Sequence, residues 1–181
     1  FDIKPKKHEN FNMLLICNFM WVKAIDDLLK ALSIVINEYE MTDIRLNIIG
    51  TGEYEGFFKE VCNDLKLNKY VNFIGYVPND KIKNYLSTTD TVVTASRNET
   101  FCIPLIEGMA AGIPVISTAC GGPNDFVNSK NGILVPINDP IKLAKAIIRM
   151  KRKYKDYDTK YIKKFIEDNY DKKNVCHNMI K

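Results

Sequence analysis

Histidine is nearly missing from this chain: its 181 residues include only His8 and His177, one near each end and both in polar sequence. A His-based metal site or a Ser-His-Asp triad within the chain is therefore disfavoured. Cysteine occurs five times, as Cys17, Cys62, Cys102, Cys120 and Cys176, but without any Cys-x-x-Cys pair. That spacing suggests neither a zinc site nor a disulfide framework, and a reducing cytoplasm fits it best. No apolar run reaches the roughly 18 residues of a membrane span, and the first ten residues are too polar for a signal peptide. Phosphate-loop glycines are missing too. No Gly-x-x-x-x-Gly-Lys-Ser/Thr motif is present, which disfavours a nucleoside triphosphatase. After the first strand-like run stand Asn18-Phe19-Met20-Trp21, leaving no glycine opening for the pyrophosphate of a nicotinamide cofactor.

What remains is ordinary globular material, 46% hydrophobic and 27% charged, enough for one substantial core. The chain starts with Phe1 and so reads as either processed or a fragment, and its start just ahead of the first strand-like run favours a fragment: residues 1–10 a residual linker, 1–181 a single domain. The net charge of +4 is 26 basic minus 22 acidic residues. It is concentrated at the C-terminus, where Lys151, Arg152, Lys153, Lys155, Lys160, Lys163 and Lys164 cluster. Such a cluster attracts phosphate-rich surfaces, or it is simply a solvated helix face.

Periodicity orders the chain as alternating strands and helices. Met13 to Cys17 is of strand length, and from Lys23 to about Tyr39 Ile25, Leu28, Leu29, Leu32, Val35 and Ile36 recur at helical steps. Ile44 to Ile49 reads as a strand, Tyr54 to Leu65 as a helix, Val71 to Ile74 as a strand, Asp80 to Ser87 as a helix, and Thr91 to Ala95 as a strand. A helix follows from Pro104 to Ala111, closed by Gly112, then a strand from Pro114 to Ser117. A helical turn after Pro123, a strand from Gly132 to Val135 and a helix from Asp139-Pro140 to Met150 continue the pattern. Helices near Tyr161 to Asn169 and Lys172 to Ile180 complete the C-terminal segment, residues 158–181. Strands joined by helical crossovers predict a doubly wound, Rossmann-like α/β domain with a parallel sheet of about six strands. Ligands of such sheets bind beyond the strands' carboxyl ends, in the loops 18–23, 50–55, 75–79, 96–103 and 118–125.

Those loops hold the residues with chemistry. Glu99 precedes Thr100-Phe101-Cys102-Ile103-Pro104, and Pro104 suits the first position of a helix, which puts Glu107 in its first turn. Carboxylates on either side of a helix start could grip the hydroxyls of a ligand whose phosphate sits on the free amides. Equally, Glu107 could merely complement the helix dipole and Glu99 be a solvated loop residue. Lys23 could supply a point charge for phosphate, and Arg97 is a second cation beside the same crevice; each could also be a plain surface charge. Gly121-Gly122-Pro123 suits a backbone lying close to a ligand, or a plain strand-to-helix turn. Gly50-Thr51-Gly52 reads as a common strand exit.

The continuous run from Ser96 to Ile116, with Gly121-Gly122-Pro123 and Asn131-Gly132-Ile133-Leu134-Val135 after it, resembles the signature of family 4 glycosyltransferases. The resemblance extends from about Met13 to the C-terminus and includes Ile49-Gly50-Thr51-Gly52 and Phe73-Ile74-Gly75-Tyr76-Val77. It implies the C-terminal, donor-binding half of a GT-B enzyme, whose two Rossmann-like domains face each other across a cleft; the acceptor domain would be absent. Glu99 would then hold hydroxyls of the transferred sugar, Lys23 would neutralise the diphosphate, and Glu107 would hold the ribose. The amides of Phe101, Cys102 and Ile103 would approach sugar and diphosphate, and Tyr76 and Val77 would meet the base. Asn18, Arg97, Gly121 and Gly122 complete the implied donor-binding set. Three departures from the family pattern stand out. Cys17-Asn18 stands where Gly-Arg is common, Thr100 and Cys102 replace glycines, and Asp125 replaces a glutamate.

The resemblance implies a retaining enzyme that needs no metal or other cofactor, with a nucleoside-diphosphate sugar as substrate and a glycan, polysaccharide or lipid-linked acceptor. The isolated domain would not turn over alone. Its partners would be the donor and an N-terminal acceptor domain, with no nucleic acid, in the cytoplasm or at the inner face of the membrane. The alternative is a non-catalytic α/β nucleotide-binding or interaction module.

Overall fold

The computed structural model describes residues 3–170, so the helix expected from Lys172 to Ile180 lies outside the described residues. Six strands, β1 (Phe11–Ile16), β2 (Ile44–Ile49), β3 (Val71–Gly75), β4 (Thr91–Val93), β5 (Val115–Thr118) and β6 (Gly132–Val135), form one sheet. Their order is β3-β2-β1-β4-β5-β6, and every neighbouring pair is parallel. That is the doubly wound Rossmann order, and its topological switch point lies between β1 and β4.

The central strands carry apolar side chains on both faces, because helices cover both. Met13 and Leu15 of β1 pack on one side with α1 (Ile25–Asn37), α2 (Glu55–Asp64) and α6 (Pro140–Lys153). Leu14, between them in sequence, packs on the other side with α3 (Asn79–Leu86), α4 (Ile103–Ala110), α5 (Pro123–Phe126) and α7 (Thr159–Tyr170). Val92 and Val93 of β4 divide between the two faces in the same way.

Two helix starts lie two residues from expectation, for local reasons. The periodicity from Lys23 suggests one continuous helix, but Trp21–Lys23 is a separate 3-10 turn, and Ala24 adopts the left-handed region at φ 48° before α1 begins at Ile25. This break lets Lys23 leave the helix axis and reach across to the loop after β4. The last described helix begins at Thr159, two residues before the expected start, because Asp158 Oδ1 accepts bonds from the amides of Lys160 (2.9 Å) and Tyr161 (3.1 Å).

Candidate functional site

At the switch point the chain leaves β1 and β4 in opposite directions, and the loops that follow them face a common crevice. Both loops are sewn to their neighbours by backbone bonds. Phe19 N donates to Thr51 O at 2.8 Å and Tyr54 N to Phe19 O at 3.1 Å, joining the loops after β1 and β2. Only glycine fits there: a Cβ on Gly50 would stand 1.8 Å from the Cys17 carbonyl oxygen, and one on Gly52 2.7 Å from Phe19 N. On the other side Glu99 N donates to Cys120 O and Gly122 N to Glu99 O, each at 2.8 Å. Here too a Cβ would collide, Gly121's 2.4 Å from Glu99 O and Gly122's 2.3 Å from Thr100 O. The Gly121-Gly122 pair is thus demanded by the neighbouring loop's backbone, and by lying against it the pair holds Glu99 in place.

The Glu99 carboxylate is mostly shielded from water and anchored at one oxygen. Its Oε1 accepts from Lys23 Nζ at 2.8 Å and from Ser96 Oγ at 2.7 Å. Ser96 is fully buried; its hydroxyl also meets Thr94 Oγ1 at 3.0 Å, and its carbonyl accepts from Thr118 Oγ1 at 2.6 Å. The second oxygen, Oε2, has no bond among the described residues. Lys23 and Glu99, 76 positions apart in sequence, therefore form one anchored pair at the crevice.

Next to the pair the backbone turns into α4. Cys102 caps this helix in the left-handed region, φ 59° and ψ 64°, a conformation that favours glycine. The turn leaves the amides of Phe101, Cys102 and Ile103 without an acceptor among the described residues. Phe101's ring packs away from them, 6.4 Å from Phe126 and 5.7 Å from Tyr170 between centroids. Because α4 starts at Ile103, Pro104 is its second residue and Glu107 falls in the second turn rather than the first. A dipole role fades beyond the first turn. Glu107 instead lines a cleft of about 340 Å³ with Asn18, Gly50, Tyr76, Val77 and Asn79. It is half-buried, has no hydrogen-bond partner among the described residues, and burial pushes its carboxyl above the ordinary range.

Of the other expected residues, Val77 lines this cleft while the Tyr76 ring is 77% exposed at its mouth. Asn18 is exposed and donates to Met20 Sδ at 3.0 Å. Arg97 turns away from the crevice. Its guanidinium donates to Trp21 O at 2.7 Å, to Asn138 Oδ1 at 2.9 Å and to Asp27 Oδ2 at 3.0 Å, and lies 4.8 Å from the Trp21 ring centre. With Asp26 and Asp27 at the start of α1, it pins the turn that carries Lys23. Neither Cys17 nor Cys102, the described thiols flanking the pair, is poised as a thiolate. Burial pushes Cys17 up to about 12 against the opposing pull of Lys23, and Cys102 up to about 12, with Glu99 reinforcing the rise. Ser96 carries no distinctive role in the sequence; a small hydroxyl three residues ahead of Glu99 was the available signal. Asp26 and Asp27 left no signal beyond a helix-start acidic pair.

Free helix-start amides, an anchored Lys-Glu pair and a half-buried carboxylate with no partner among the described residues thus meet at the switch point of a Rossmann sheet, where ligands of such sheets bind. The chain belongs to the glycosyl transferases group 1 family, whose model matches residues 1–175. An uncharacterised glycosyltransferase of Methanocaldococcus jannaschii is 27% identical over 167 residues, 91% of this chain and 42% of that protein. The chain thus spans less than half of that relative's length. TarM of S. aureus, solved in complex with Fondaparinux, alpha-GlcNAc-glycerol and UDP, superposes with a TM-score of 0.85 at 21% identity, over 98% of this chain and 36% of that one. The C-terminal domain of LpcC, a group 1 glycosyl transferase from Francisella tularensis, superposes with a TM-score of 0.79 at 21% identity, over 94% of this chain and 96% of that one. These two likenesses establish the fold, a Rossmann-like α/β domain.

Proposed function

We propose that this chain is the donor-binding domain of a retaining, metal-independent glycosyltransferase of family 4 type, using a nucleoside-diphosphate sugar and a glycan, polysaccharide or lipid-linked acceptor. The observation that carries this reading is Glu107. A carboxylate that is half-buried, lifted in pKa by desolvation and left without a partner among the described residues costs stability unless a ligand supplies hydroxyls to it. Its cleft of about 340 Å³ has room for a ribose and base, with Val77 and Tyr76 beside the base and Asn18 beside the sugar-phosphate. One helical turn away, the amides of Phe101, Cys102 and Ile103 receive the diphosphate, as helix starts receive anions elsewhere. In TarM the UDP of the solved complex is a ligand of the kind proposed here.

Lys23 and Glu99 take the reacting end. Lys23 Nζ has three donors and spends one on Glu99, leaving two for the diphosphate. Glu99 Oε2 is free for a hydroxyl of the transferred sugar, while Ser96 and Lys23 fix Oε1. Charge developing on the leaving diphosphate is then met by fixed amides and an ammonium that need no reorganisation. In the front-face displacement proposed, the acceptor oxygen bonds to the anomeric carbon on the side from which the diphosphate departs. The departing phosphate oxygen takes the acceptor's proton, so no enzymic base or covalent intermediate is required. Arg97 and the Gly121-Gly122 pair act as positioning residues, holding the Lys23 and Glu99 loops respectively.

The rest of the proposed enzyme is an N-terminal acceptor domain facing this crevice, without which the 181-residue chain binds donor but does not turn over. Reduced thiols at Cys17, Cys62, Cys102 and Cys120 suit a cytoplasmic setting. Calorimetric titration of the chain with UDP, GDP, ADP and dTDP tests the reading. At least one is expected to bind, and Glu107→Ala to bind it about 100-fold more weakly, the loss of two charge-assisted bonds. Absence of binding by all four, or an unimpaired Glu107→Ala, overturns it.

A further inference from the structure

Away from the donor crevice, the outer face of α6 carries charge that the proposed reaction does not use. Of its six cations, Lys142 pairs with Asp139 (3.3 Å) and Lys151 with Asp43 (2.7 Å). Lys145, Arg149, Arg152 and Lys153 are exposed and make no ion pair among the described residues. They follow one another at three- and four-residue steps, with Lys153 beside Arg152, so they form a stripe about 12 Å long. Two clefts flank the stripe and share Arg149 and Lys153 as their common wall. The smaller, about 250 Å³, is lined by all four cations with Tyr39 and Ile148, and has no acidic residue. The larger, about 420 Å³, adds Lys130, with Asp156 and Asp158 along its wall, Asp158 already accepting two amides of α7.

We infer that this face of α6 docks the protein on an anionic lipid surface. The charge is laid out along a helix rather than gathered round one point, which matches many headgroups in a plane better than one bound phosphate. Long Lys and Arg side chains can lie along the clefts and present their charge outward. Tyr39, 45% exposed in the smaller cleft, has the polar-tipped ring that suits a headgroup layer, and Ile141, 60% exposed at the start of α6, extends the face with apolar area. A nucleic acid is a poorer fit. Base stacking needs an open ring face, and the Tyr161 face is covered by Lys130 Nζ at 5.5 Å from its centroid. α6 begins near the strands' carboxyl ends and runs away from them, so docking through Lys145 to Lys153 leaves the crevice of Glu99 and Glu107 open.

The test is cosedimentation of the 181-residue chain with vesicles of phosphatidylcholine alone or mixed with phosphatidylglycerol. Binding is expected only to the mixed vesicles and to weaken steeply with added salt. Each basic residue near an anionic surface strengthens binding roughly five-fold, so Arg149→Gln with Arg152→Gln should weaken it about 25-fold. The matched double variant Lys69→Gln with Lys83→Gln removes the same charge from exposed positions on α2–β3 and α3 and should leave binding unchanged. Equal binding to both vesicle types, no binding to either, or equal losses in the two double variants would overturn the inference. So would tighter binding to single-stranded RNA than to mixed vesicles. Nucleoside-diphosphate titration is unaffected by the α6 variants, so failure here is distinct from failure of the donor-site reading.

Discussion

Replacing Glu107 by glutamine should move ligand affinity and fold stability in opposite directions. In the ligand-free chain the carboxyl is half-buried and without a partner among the described residues, and burial raises it above its ordinary 4.5. The folded chain therefore holds this proton more tightly than the unfolded one. By linkage, the group's contribution to stability is fully present below the unfolded value and is lost as pH rises through the raised folded value. Near neutral pH the ionised Glu107 thus costs the fold something that neutral glutamine does not. Glu107→Gln should melt at a higher temperature than the parent near neutral pH, and the advantage should vanish well below 4.5, where both side chains are uncharged. Binding runs the other way. Glutamine retains one carbonyl acceptor for a ribose hydroxyl but loses the charge, and a hydrogen bond to a charged group is worth about 1.5–3 kcal/mol, so nucleoside diphosphate should bind roughly tenfold more weakly. Thermal scans at both pH values and calorimetry at the higher one give the two numbers. A variant that binds as well as the parent, or that is destabilised near neutral pH, would show that Glu107 serves the fold and refute the reasoning.

Three further outcomes follow from the same geometry. Lys23→Ala should weaken nucleoside diphosphate by about tenfold while leaving the uncharged nucleoside's affinity unchanged, because only the diphosphate meets the ammonium; equal losses for both would place Lys23 elsewhere. Gly122→Ala puts a Cβ 2.3 Å from the Thr100 carbonyl oxygen and should lower stability by about 2 kcal/mol or more in urea titration, and a parental midpoint would mean that the two loops are not packed as described. With its buried thiol raised to about 12, Cys102 has a thiolate fraction near pH 8 of only ~10⁻⁴, so iodoacetamide should leave it unlabelled in the native chain and label it after unfolding; rapid native labelling, read by mass spectrometry, would contradict its burial.

Much of the fold was legible because its cause is periodic. Buried parallel strands read as short apolar runs and crossover helices as three- and four-residue steps, so Ile44–Ile49 coincides with β2, and each of the other five strands is placed to within two residues at either end. The helix starts were less legible, since they depend on single residues. Ala24 enters the left-handed region at φ 48°, which its identity does not announce, and so α1 loses Lys23 to a separate turn. The same holds at Cys102, where the family's glycine would have signalled the left-handed backbone and cysteine conceals it.

The sequence alone determined that carboxylates, cations and glycines gather in loops after strands, and which residue types those are. Only the tertiary structure decided their partners. Lys23 meets Glu99 across 76 positions, and Arg97, a candidate for the crevice, is drawn off by Trp21, Asn138 and Asp27. Gly121 and Gly122 answer to the backbone of Glu99 and Thr100, and Glu107 is half-buried in its cleft with no partner among the described residues. The physical reason is that charge pairing and backbone contact act over a few ångströms of space. Which loops come that close is set by the order of strands in the sheet, not by spacing along the chain.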